Sequence, residues 1–191
     1  MNKENILNFI EDKEVEQNKN WYLHATRNDI ETIKKILNEG ITSAYLRGLK
    51  GNHFNGPYYV SVFKNDNLEE GLTLWTLNYP KFVINDILPF YADRKKLKFR
   101  RMFIKTRIPL RTSEWDGEYQ QYMQIDPSKI VALEYSLSHI LSKSNNSDIK
   151  KEIEFLKAMI LCMEQANKNL PIYDLSSNHE INKHKVLSLN L

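Results

Sequence analysis

"WYLHATRNDIETIKKILNEG", residues 21–40, decides the fold class of this chain. Trp21, Tyr22 and Leu23 favour extended backbone, so residues 20–24 read as a strand. Asn28 and Asp29 are helix-capping residues. Ile30, Ile33 and Leu37 recur at helical spacing, and Gly40 stands where a helix ends. A strand that turns at once into an amphipathic helix over 29–39 excludes an all-α or all-β chain. His24 sits at the junction, with Thr26 two residues on. A lone histidine in such a place is usually structural, so its meaning depends on partners elsewhere in the chain.

On the N-terminal side, residues 4–15 carry Ile6, Leu7, Phe9 and Ile10 on one loose face and are predicted to form a short helix. On the other side, the glycine-punctuated "LRGLKGNHFNGP" (46–57) leads to "YYVSVF" (58–63), a strand. Asp66 or Asn67 then opens a helix with Glu69 and Glu70 at capping-box spacing. Leu68, Leu72 and Trp75 would face inward. The second half is strand-rich. "KFVIN" (81–85), "RMFIKTRI" (101–108), "YQQYMQI" (119–125) and "KIVALEYSL" (129–137) are strands separated by turn-forming loops. From Ser147 the period changes. Ile149, Ile153, Leu156, Ile160 and Met163 trace one face of a long helix.

The expected class is α+β. Residues 1–140 form the main domain, a helix over 147–170 lies outside its core, and 176–191 are a flexible tail. The 191 residues suffice for one hydrophobic core. With 27 Lys and Arg against 24 Asp and Glu, the net charge of +3 is too small to mark the whole chain as a nucleic-acid binder. Cys162 is the one cysteine, which rules out an internal disulfide and fits a reducing compartment. The first residues hold acids and no apolar core, unlike a Sec signal peptide. No apolar run reaches membrane-spanning length. The expected location is therefore cytoplasmic, without membrane insertion, and export by a dedicated secretion machine would leave no mark of this kind.

Partners for His24 do appear. Gly56-Pro57-Tyr58-Tyr59-Val60-Ser61 gives a tyrosine and a serine on a strand reached through glycine. Glu118-Tyr119 opens the strand that follows "WDG" (115–117). His-X-Thr, then Gly-X-X-Tyr-X-Ser, then Glu-Tyr, in this order, resembles the His-Tyr-Glu ADP-ribosyltransferases of the diphtheria-toxin and poly(ADP-ribose) polymerase type. The resemblance covers residues 20–137. It implies split, antiparallel-rich sheets flanked by helices, NAD⁺ as co-substrate, and transfer of ADP-ribose to a macromolecular acceptor, protein or nucleic acid, as in toxin- or effector-like proteins.

The chemistry asks for such residue types. Nicotinamide leaves NAD⁺ through an oxocarbenium-like state, which a carboxylate at the ribose stabilises. By resemblance Glu118 is that carboxylate. Tyr59, or less readily Tyr58, stacks on the nicotinamide ring. His24 and Thr26 hydrogen-bond the other ribose, and Ser61 lines the pocket floor. Asp116 stands where arginine-directed members carry a Glu or Gln that positions the acceptor. Ala25 replaces a glycine usual after the histidine, and Pro57 stiffens the approach to Tyr59.

Arg94 to Arg111 hold nine basic residues. They read as a strand with a solvated basic face, as a contact for NAD⁺ phosphates, or as a nucleic-acid contact. Two rivals accompany the transferase. RNA 2′-phosphotransferases have a similar histidine strand, consume NAD⁺ and rely on basic residues rather than a glutamate. A non-catalytic module on the same scaffold would use the long helix near 148–168 as a docking surface.

Overall fold

The computed structural model describes residues 8–16, 18, 20–49, 58–64, 79–91, 118–143 and 146–190. The helix predicted after Asp66, the strand predicted at 101–108 and the basic run 94–111 lie outside these residues.

The strand-to-helix junction folds as its residues dictate. Strand β2 (Tyr22–Ala25) leads into helix α1 (Ile30–Glu39). The Asp29 carboxylate accepts from the backbone N–H groups of Glu31 and Thr32, both at 3.3 Å, satisfying two donors that the first turn leaves open. Ile33, Ile36 and Leu37 are buried. At the far end Gly40 takes φ 82° and donates its N–H to the Ile36 carbonyl. Only glycine fits there. A Cβ at that position would lie 2.2 Å from the Ile125 carbonyl oxygen, and the positive φ is one that glycine alone adopts at no cost.

Nine of the described strands join one hydrogen-bonded sheet in the order β1-β11-β10-β9-β5-β2-β4-β7-β6. Besides β2, its members are β1 (Ile10–Glu14), β4 (Tyr59–Lys64), β5 (Lys81–Ile84), β6 (Phe90–Tyr91), β7 (Glu118–Tyr122), β9 (Ile130–Glu134), β10 (Ile172–Asp174) and β11 (His179–Ile181). Every neighbouring pair is antiparallel except β10 with β9, which runs parallel. The chain is thus α+β with a mostly antiparallel sheet that holds nine of the described strands in one continuous hydrogen-bonded array. A separate two-stranded ladder pairs β3 (Ile41–Thr42) with β8 (Gln124–Ile125). The strand expected over 119–125 is broken because Met123 takes φ 59°. Its N–H donates to the Tyr58 carbonyl and its own carbonyl accepts from Ser43 N–H, so β7 and β8 serve different partners.

One face of the sheet carries the main core. Val60, Val62, Phe82, Ile84 and Leu133 pack with residues of α1, α2 (Leu137–Lys143) and α3 (Asn146–Gln165). A smaller cluster of Leu23, Phe63, Val83, Ala132 and Leu175 lies on the other face, bordered by Trp21 and Tyr173. The Trp21 and Tyr173 rings stack at 5.7 Å.

Three expectations need correction. The long helix is no appendage outside the core. Ile149, Ile153, Leu156 and Ile160 of α3 are 0% exposed and join the main core. A four-three stripe specifies an apolar face but not what covers it, and here the cover is the domain itself. The docking surface postulated for a non-catalytic module is therefore internal. Of the tail expected over 176–191, the described residues 176–190 are likewise not loose. Strand β11 pairs with both β10 and β1, and helix α4 (Lys183–Leu187) is capped by Asn182, whose own N–H donates to the Phe9 carbonyl. Finally, the N-terminal segment expected to be a helix contributes β1. Its partner β11 comes from the other end of the chain, and that long-range pairing outweighs a local helical pattern. None of the described helices is long and apolar enough to cross a membrane.

Candidate functional site

Strand β2 is unevenly held. Against β5 it pairs from Tyr22–Ile84 through Ala25–Lys81, and Thr26 N–H extends the ladder to the Pro80 carbonyl at 3.0 Å. Against β4 it pairs only at Tyr22–Lys64 and Leu23–Phe63. Beyond Leu23 the β2–β4 ladder ends, and a carbonyl on β4 needs another donor. His24 supplies it, with Nδ1 2.8 Å from the Ser61 carbonyl oxygen. A carbonyl only accepts, so Nδ1 carries the hydrogen, and the neutral ring presents Nε2 as an acceptor. Burial pushes the His24 pKa down, the nearby Arg47 charge adds to the effect, and the Ser61 carbonyl opposes both. The imidazole is therefore held neutral and can accept a hydroxyl hydrogen at Nε2.

The other proposed residues among the described ones lie on β4 and β7 or next to β2 and β4. Tyr59 is half-buried and meets Tyr122 of β7 edge to face, with centroids 5.7 Å apart. Tyr58 is exposed, and its ring lies 4.8 Å from that of Tyr45 in the turn after β3. Thr26 and Ser61 are half-buried. Glu118 opens β7 with its Cα opposite Phe63. Asp116 lies outside the described residues, and so does the Glu118 side chain.

Strands β2, β4 and β7 are consecutive in the sheet. His24 and Glu118 therefore stand on the two strands flanking β4, at nearly the same height. At about 4.8 Å per strand their Cα atoms are roughly 10 Å apart. Tyr59, opposite Tyr122, lies four residues further along, roughly 13 Å at about 3.3 Å per residue. The structure joins His24 to Ser61 and puts Glu118 one strand beyond them. It does not stack Tyr59 on His24. His24 pairs with Phe82, a residue of the main-core face, whereas Tyr59 alternates with Val60 and Val62, and the Glu118 position pairs with Phe63 of the smaller cluster, so both start on the face opposite His24.

Three features escaped the sequence. Gln120 sits opposite Ser61, buried, with its amide Nε2 enclosed and no hydrogen-bond acceptor among the described residues. Arg47 brings positive charge to His24. A third feature is a buried polar network beside the sheet centre. Lys81 and Glu134 form an ion pair with both side chains 0% exposed, and the Ser136 hydroxyl donates to the same carboxylate. Lys81 also donates to the Tyr79 carbonyl. Burial raises the Glu134 pKa against the pull of Lys81. Nearby, buried Asp174 accepts from Ser138 N–H in the first turn of α2, at 2.8 Å, and from the Ser176 hydroxyl. The only sequence signal for this network was a charge at one end of each of two otherwise apolar strands, and register alone made them neighbours. Among the described residues no group of three or more His, Cys, Asp or Glu is arranged to hold a metal.

No known protein family, curated protein or solved structure matches the chain.

Proposed function

We propose that this protein transfers ADP-ribose from NAD⁺ to a macromolecular acceptor, and hydrolyses NAD⁺ slowly when no acceptor is present. The supporting observation is the placement of His24, Tyr59 and Glu118 on the three consecutive strands β2, β4 and β7. These are the residues that the resemblance to His-Tyr-Glu ADP-ribosyltransferases singles out, and they come from distant parts of the sequence.

In the proposed reaction the bond between the ribose C1′ and the nicotinamide nitrogen breaks. Nicotinamide leaves with the bonding pair as a neutral base, and positive charge develops on the ribose. Glu118 stabilises that charge through the 2′-hydroxyl. Neutral His24, fixed by the Ser61 carbonyl, accepts a hydrogen bond from a hydroxyl of the other ribose at Nε2, and Thr26 assists. Tyr59 holds the nicotinamide ring, with Tyr58 as the alternative. The acceptor nucleophile then attacks C1′ and loses its proton. Asp116 is proposed to position that acceptor.

The test is release of nicotinamide by purified protein given NAD⁺ and cell lysate as acceptor. Glu118→Ala is expected to slow turnover by about two to three powers of ten, the scale of one preorganised transition-state contact. NAD⁺ affinity should change much less. Wild-type protein that neither binds NAD⁺ nor releases nicotinamide ends the enzyme reading. Activity that survives Glu118→Ala transfers support to the RNA 2′-phosphotransferase-like alternative.

A further inference from the structure

Gln120 lies in the middle of β7 and is 4% exposed. Its Nε2 is enclosed, and none of the described residues accepts a hydrogen bond from it. Folds rarely keep an enclosed amide donor without an acceptor, because burial removes the water that would otherwise serve it. Such a group calls for an explanation, and a partner supplied by a bound ligand is one; His139 Nε2 is the other enclosed atom of this kind among the described residues.

Register says which part of a ligand would reach it. On β7, Gln120 stands two residues from Glu118 and two from Tyr122, about 7 Å along the strand from each. Across the ladder these positions face Phe63, Ser61 and Tyr59 of β4. In the function proposed above, Glu118 meets the ribose, and Tyr59, opposite Tyr122, meets the nicotinamide ring. Gln120 then falls between the two, beside the substituted part of the ring. The chemical group there is a carboxamide, which offers one acceptor oxygen and one donor nitrogen. A glutamine amide complements it in either orientation of its own oxygen and nitrogen.

We infer that Gln120 recognises the nicotinamide carboxamide of NAD⁺, with Nε2 donating to the carboxamide oxygen. This rests on the proposed NAD⁺ site but adds a residue that sets which dinucleotide is accepted. Gln120 contributes to nicotinamide-side affinity and leaves the adenosine side of the ligand untouched.

Calorimetric titration separates the two ideas. The ligands are NAD⁺, free nicotinamide, ADP-ribose, which lacks the nicotinamide, and the nicotinic acid analogue of NAD⁺, which carries a carboxylate instead. Gln120→Met keeps the side-chain volume and removes the amide. It is expected to weaken NAD⁺ and nicotinamide about tenfold, the scale of one net hydrogen bond. ADP-ribose affinity and the melting temperature should not fall. The wild-type protein should bind the nicotinic acid analogue at least about tenfold more weakly than NAD⁺, a comparison that needs no variant to fold. Equal loss for NAD⁺ and ADP-ribose in Gln120→Met, loss for neither, or equal wild-type affinity for the two dinucleotides overturns the role of Gln120 and leaves the NAD⁺ site standing. Wild-type protein that binds none of the four ligands overturns both.

Discussion

Two polar regions lie only a strand or two apart in the same sheet, and they differ in what they leave unused. In the first, on β5, β9 and β10, Lys81, Glu134, Ser136 and Asp174 are all buried and bonded to one another or to backbone. In the second, on β2, β4 and β7, His24 keeps an acceptor at Nε2 on one face of the sheet, and Gln120 keeps an enclosed donor with no described acceptor on the other. Complete satisfaction is the mark of a structural network, since every buried polar group without a partner is a cost. An unused donor or acceptor leaves room for a ligand to be stabilising, although His139 Nε2, close enough to Lys81 and Asp174 to feel their charges, is also enclosed without a described partner. The same chemistry of charged and amide side chains therefore has different meanings a few ångströms apart.

The sharpest way to break this comparison is Lys81→Met. It strands Glu134, whose pKa burial already pushes up, as an uncompensated buried acid. The expected loss is about 3–5 kcal/mol of stability, read from urea denaturation. Pairing it with Glu134→Leu should recover most of that loss, because removing both partners leaves no charge to bury. A single variant as stable as wild type would show that the network is not structural.

A smaller effect follows from Asp174→Ala. It leaves the half-buried N–H of Ser138 at the start of α2 without its acceptor and frees the Ser176 hydroxyl. The expected cost is about 1–3 kcal/mol, with earlier hydrogen exchange in α2 than in α3. Nicotinamide release at a temperature well below the transition should be unaffected, because Asp174 belongs to the satisfied region.

The smallest effect concerns pH. The folded-state pKa of His24 lies below that of the unfolded chain, and so does that of His139, in both cases chiefly through burial. Below about pH 6.5 the unfolded chain binds protons that the folded chain resists, so stability is full above that value and declines as pH falls through the folded values. His24→Gln removes one of the two contributions. The fall in the urea midpoint between about pH 7.5 and about 5.5 should become shallower, by on the order of 1 kcal/mol or less. An unchanged slope would mean that His24 is as free to charge in the fold as in water, and it would remove the reason for treating it as a fixed neutral acceptor.

Several elements are legible in the amino-acid order alone. Helix α1 announces itself through Asp29, the apolar spacing and Gly40. Strands β2, β4, β5 and β9 follow from alternation and β-branched residues, with ends shifted by up to three residues. His24, Tyr59 and Ser61 can be placed on those strands. Gln120 cannot be distinguished from its neighbour Gln121, because both occupy the polar part of "YQQY" and only the surroundings decide which amide is enclosed. Lys81 and Glu134 look like ordinary strand-end charges, since nothing local says that two strands 53 residues apart in sequence place them side by side.

By itself the sequence determined the class of the fold, the capped first helix, and the local order of histidine, tyrosine and glutamate along the chain. Those features depend on contacts between residues two to four positions apart, which spacing encodes directly. Only the tertiary structure decided that α3 buries its stripe in the domain, that β1 joins β11 from the opposite end of the chain, that Met123 breaks a strand to serve two partners, and that the β2–β4 ladder stops at Leu23. Each of these is a choice of partner. A hydrophobic face or a free carbonyl states that something must cover or bond it, but which residue does so is fixed by the packing of the whole chain.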